Sequence, residues 1–188
     1  MDEALHSGDT RNDQAVDLDT RTMRQAREGT VMMTSPAPTL IPERPLTTAV
    51  SWYFNGGGAA WGFERRHWVR LCRQLLDRLE PMARSGKGTL SCAELVRGTA
   101  VEHHEAWRHV LTNLLDILVK ACVDVDLPNI TALVVVQETG LPTRGFFEAA
   151  RRYGRKHLNE ADDAYWGREL ERVHHRWSRT PRPTRTRR

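Results

Sequence analysis

Trp107, Val110, Leu111, Leu114, Leu115, Leu118, Val119 and Cys122 recur at intervals of mostly three and four residues. That spacing gathers the large apolar side chains on one face of an α-helix, and such a face has to be buried against other elements. Any fold open to this chain is therefore organised around a helix over 107–122. A second stripe, Trp68, Leu71, Cys72, Leu75, Leu76 and Leu79, predicts a helix over about 63–80. Pro81 is expected to stop it, because proline lacks an amide donor and crowds the preceding turn.

Between these two helices, Thr89-Leu90 reads as a very short strand, and Ser91-Cys92-Ala93-Glu94 has the spacing of a capping box. Ser and Glu three residues apart satisfy each other's free amides, so a short helix over about 92–97 is expected, ending near Gly98. Beyond Leu127-Pro128, the run Ile130-Thr131-Ala132-Leu133-Val134-Val135-Val136 is apolar and rich in β-branched residues, the pattern of a buried strand. Glu138-Thr139-Gly140-Leu141-Pro142 supplies a turn with Gly140 at positive φ. Phe146 to Tyr153 predicts a short helix, and Tyr165, Trp166, Leu170, Val173 and Trp177 outline a last amphipathic one. The fold class is α+β and mostly helical.

Composition sets the boundaries. A hydrophobic content of 39% supplies a core only where it is concentrated. The first fifty residues hold few large apolar side chains, and Ser35-Pro36-Ala37-Pro38 through Pro42 and Pro45 reads as extended chain. Residues 1–48 are expected to be a disordered acidic, Pro-rich segment. Residues 49–62, with Trp52, Tyr53, Phe54, Asn55-Gly56-Gly57-Gly58 and Trp61, are expected to be an aromatic, Gly-rich linker whose rings pack onto the core. The helix-rich domain is expected over 63–178 and a basic disordered tail over 179–188. Cys72, Cys92 and Cys122 are odd in number and lie in apolar patterns, which points to a reducing, cytoplasmic setting. No run approaches the roughly 18 apolar residues of a membrane span.

The catalytic patterns are incomplete. Gly86-Lys87-Gly88-Thr89 fails the phosphate-binding loop, with Pro81 at its first glycine and Gly88 where Ser or Thr should follow the lysine. Cys92 begins a helix but has no His or acid assigned to it by spacing. His103, His104, His109, His174 and His175 contain no i, i+4 pair, and the acids Asp162 and Asp163 open a helix, where they favour its dipole. The chain reads as non-enzymatic, with no metal or cofactor.

Charge is more informative. After Glu171 no acid follows, and the chain ends in Arg176, Arg179, Arg182, Arg185, Arg187 and Arg188, interrupted by Pro181 and Pro183. Such a tail binds nucleic acid by releasing condensed counterions and needs no fixed shape to do so.

The order Leu90-Ser91-Cys92-Ala93-Glu94-Leu95-Val96, then Ala106-Trp107-Arg108-His109-Val110, then Leu127-Pro128, Val134-Val135 and a turn to Gly145-Phe146 resembles the winged-helix domain of the DNA alkyltransferase and alkyltransferase-like family. The resemblance implies a winged-helix-like three-helix core with a short β-hairpin or small sheet and a C-terminal helix. It also puts Ser91 near a phosphate and Arg108 at the position of the arginine that enters the base stack. Asn129-Ile130-Thr131 stands where the family has its nucleophilic Cys-His-Arg, so the binding scaffold is implied and alkyl transfer is not.

A helix-turn-helix reading of the same segment also turns Glu102, His103, His104, Glu105 and Arg108 toward DNA, and the two acids weigh against phosphate contact there. The expected DNA-binding set is Lys87, Ser91, His104, Arg108, Arg144, Arg179, Arg182 and Arg185, in an accessory or regulatory factor. The alternative is a protein-interaction module or inhibitor, such as a factor from a mobile element, docking its partner through exposed Trp52, Tyr53, Phe54, Trp61 and Trp166.

Overall fold

A computed structural model describes residues 40–178, all within one unit, Ala37–Arg188. The elements in order are α1 (Glu43–Asn55), α2 (Arg65–Ser85), β1 (Leu90–Ser91), α3 (Cys92–Val96), α4 (Trp107–Asp124), a 3-10 turn (Ile130–Leu133), β2 (Val134–Val135), α5 (Arg144–Arg152) and α6 (Asp162–Ser178). The fold is mostly helical with a small parallel pair of strands, Leu90 opposite Val134 and Ser91 opposite Val135. Parallel strands need a crossover, which α3 and α4 provide, so this pair is a small sheet and not a hairpin.

The stripe on α4 faces inward, burying Val110, Leu111, Leu114, Ile117, Leu118, Val119, Ala121 and Cys122. α1 packs mainly on α4, and α2 on α6. The capping box forms as its spacing predicts: Ser91 Oγ accepts the Glu94 N–H at 3.2 Å, and the Ser91 N–H donates to Glu94 Oε2 at 2.9 Å. Gly140 takes φ 66 in the expected turn.

Three expectations are corrected. The segment 49–62 is not a linker throughout, because α1 occupies Glu43–Asn55. Leu46, Ala49, Val50 and Tyr53 form an i, i+3, i+4, i+7 stripe that docks on the core, and Leu40 and Ile41 are buried ahead of it. Ordered structure therefore begins before residue 48, while the expectation of disorder for 1–39 lies outside the described residues. α2 does not stop at residue 80. Pro81 faces solvent while Leu79 and Ala83 on either side are buried, so packing carries the helix past the missing hydrogen bond to Gly86, which closes it at φ 70. The strand expected over 130–136 is mostly a 3-10 turn. Asn129 Oδ1 accepts both the Thr131 N–H at 3.1 Å and the Thr131 hydroxyl at 2.7 Å, which winds the chain and leaves Val134 and Val135 as strand. Among the described residues no helix is long and apolar enough to cross a membrane.

Candidate nucleic-acid interface

Lys87 lies in a tight turn between Gly86 at φ 70 and Gly88 at φ 88, where the Ser85 hydroxyl donates to the Lys87 carbonyl at 2.7 Å. Its side chain is exposed. The end of α6 abuts this turn: a Cβ placed on Gly86 would come within 3.4 Å of Ser178 Cβ. The Lys87 turn thus lies against Ser178, the last described residue, which precedes the arginine-rich tail in the sequence. Arg179, Arg182 and Arg185 themselves lie outside the described residues.

Ser91 and His104 are engaged in the fold. Ser91 is only 7% exposed, and its hydroxyl donates to Glu94 at 2.7 Å while accepting the Glu94 amide, which leaves it unsuited to phosphate. His104 Nδ1 accepts the Ala106 N–H at 3.0 Å, so Nε2 carries the proton and donates to the Trp61 carbonyl at 3.1 Å. That side chain ties the 56–63 loop to the start of α4. Ser91 and His104 are corrected from ligand residues to structural ones.

Arg108 and Arg144 remain exposed. The Arg108 guanidinium sits 4.8 Å from the centre of the Trp107 ring, and Arg144 Nε meets Glu148 at 2.6 Å. α4 and α5 run in the same sense, with Thr112 beside Gly145 and Asp116 paired to Arg152 at 3.0 Å. The first turns of both helices therefore lie at one end, and neither contains an acid. Between them opens a cavity of about 240 Å³, lined among others by Thr112, Asp116, Thr143, Phe146 and Arg152. Burial raises the Asp116 carboxyl above the usual aspartate range, against the opposing pull of Arg152. Among the described residues the expected cations thus occupy two places, Lys87 the turn beside Ser178, and Arg108 and Arg144 the α4/α5 end.

The aromatic set turns largely inward. Tyr53 and Phe54 pack on Trp68, with ring centres 5.1 and 5.7 Å away, and Tyr53 Oη donates to the Ala59 carbonyl at 3.1 Å. Trp61 stacks on His109 at 5.8 Å, and Trp166 Nε1 donates to the Ala132 carbonyl at 2.9 Å. Only Trp52 of the five counts as exposed, at 37%, and it too meets Tyr153 edge-on and carries Lys120 over its ring. As a set these side chains are fold contacts, in keeping with rings that pack onto the core and unlike the exposed anchors of the protein-interaction alternative.

Desolvation opposes the thiolate at Cys92, whose thiol is raised by burial even at a helix start. Among the described residues no group of three His, Cys, Asp or Glu side chains is arranged to hold a metal ion. One feature escaped the sequence reading: Arg66, Arg70 and Arg73 lie on α2 opposite its apolar stripe. The signal was there, as arginines at i, i+4 and i+7 out of phase with the buried residues.

The fold and its exposed cations define a mostly helical α+β domain with a basic extension. No known protein family, curated protein or solved structure matches the chain.

Proposed function

We propose that this chain is a non-catalytic DNA-binding protein that acts as an accessory or regulatory factor, with affinity that is mainly electrostatic. The observation that carries the reading is the contact between the end of α6 and the Gly86 turn. It brings the Lys87 turn beside Ser178, the residue after which Arg179, Arg182, Arg185, Arg187 and Arg188 follow in the sequence. Within the reading, α3 and α4 are the helix pair that a winged-helix-like module uses. Arg108, exposed on the first turn of α4, is then the side chain offered to the groove.

The test is a fluorescence-anisotropy titration of duplex DNA with the full chain and with a chain ending at Ser178. Each phosphate contact contributes about 0.9 to the slope of log K against log salt, so loss of the five tail arginines should lower that slope by up to about 4.5. Absence of binding at low salt, or an unchanged slope without the tail, overturns the reading and favours a protein partner.

A further inference from the structure

We propose that the outer face of α2, formed by Arg66, Arg70 and Arg73, docks the phosphate backbone of one strand of duplex DNA, an inference that rests on the DNA-binding reading above. The three arginines lie opposite the side of α2 that buries Trp68, Leu71, Cys72, Leu75, Leu76 and Leu79. Arg66 and Arg70 are exposed and Arg73 is half-buried.

Charge balance distinguishes this face from the arginines of α5 and α6. There Arg151 pairs with Asp162, Arg152 with Asp116, Arg168 with Glu160 and Arg172 with Glu169, while only the Arg144–Glu148 pair is as open to solvent as that of Arg66 with Glu64. On α2, among the described residues, Arg70 has no carboxylate partner, and Arg73 donates to the neutral carbonyl of Ile41 at 3.0 Å. That bond holds the Arg73 side chain in place without cancelling its charge. Arg66 meets Glu64 at 2.6 Å, but both side chains are well over half exposed, and such a pair contributes little and yields readily to phosphate. Asp77, one turn beyond Arg73, marks the end of the surface.

Geometry selects the partner. At about 1.5 Å per residue, Arg66 to Arg73 covers about 10 Å of helix axis. One strand of a duplex rises about 3.4 Å per phosphate, so the face is matched to about three consecutive phosphates. From Arg66 to the Gly86 turn α2 extends about 30 Å, close to one turn of duplex. Guanidinium forks suit phosphate oxygens, which they bind bidentately.

Salt-dependent anisotropy on a duplex of about two turns tests this with full-length variants. Arg66→Gln with Arg70→Gln should lower the salt slope by about two, and adding Arg73→Gln by about three. The paired Lys variants should keep the wild-type slope, and circular dichroism verifies each fold. If the wild type binds, loses slope with its tail, and yet the Gln variants match it, the α2 assignment is overturned while the DNA reading stands. A wild type that binds no DNA overturns both. Equal competition by poly-glutamate at matched charge would assign the face to an acidic protein and end the proposal.

Discussion

Cys72 and Cys122 are fully buried, and exclusion of water from their sulfurs penalises the thiolate, pushing the Cys122 thiol up to about 12 and raising Cys72 as well. Cys92 is only half-buried, so an alkylating reagent should modify it first in the native protein, with the other two reacting only on unfolding. Mass spectrometry after timed labelling checks the order, and early modification of Cys122 would contradict it. Asp116 carries a second testable consequence. Burial raises its carboxyl despite Arg152, so the folded state holds the proton more tightly than the unfolded chain does. Stability then falls as pH rises from the ordinary aspartate range, about 3.9, through the raised value. Asp116→Asn should raise Tm at pH 7, and the gain should close as pH drops below that range. A lower Tm at neutral pH would mean that the Arg152 pair outweighs burial. At this scale the candidate site was only partly legible. Ser91 and His104 have the chemistry of phosphate ligands, but the backbone amides that engage them are visible only once the chain is folded.

α6 buries Tyr165, Val173 and Trp177 against the rest of the protein, and one carboxylate is buried with them. Glu169 is fully buried, accepts the Asn129 N–H at 2.6 Å and the Arg172 Nη1 at 2.8 Å, and lies 3.7 Å from Arg155 Nη1. Arg155 in turn donates to the carbonyls of Leu127 and Cys122, linking α6 to the end of α4. Glu169→Ala leaves the Asn129 amide without its acceptor and the part-buried Arg155 without its counter-ion, and should reduce stability by about 3–5 kcal/mol. Glu169→Gln keeps an acceptor oxygen and should lose less. Urea unfolding at constant m reads both values. Nothing in the sequence pairs Glu169 with Asn129, because the contact spans forty residues. The elements that were legible are those fixed by their own local pattern, such as the stripe of α4 and the capping box of α3. α1 has an equally regular stripe, but the polar, Pro-rich chain before it masked Leu46, Ala49 and Val50. The β-branched run at 130–136 failed for a different reason: the Asn129 side chain competes for the local amides and winds the backbone.

The whole molecule depends on the segment that composition had set aside. Leu40, Ile41, Leu46, Ala49 and Val50 are buried, and α1 lies along α4, the central helix. Arg73 fastens the Ile41 carbonyl, and the 56–63 loop returns over Trp68 and His104 through the Ala60 and Trp61 carbonyls. Burying Ile41, Leu46 and Val50 contributes on the order of 1.5–3 kcal/mol each, while a domain's net stability is only about 5–15 kcal/mol. A chain starting at residue 63, the domain boundary that the sequence pattern favours, should therefore lose cooperative unfolding and expose the apolar face of α4. A chain of residues 40–178 should retain a single sharp transition. Thermal unfolding by circular dichroism, with dye binding to exposed apolar surface, separates the two outcomes. Equal cooperativity in both fragments would show that α1 covers the core without being needed to hold it.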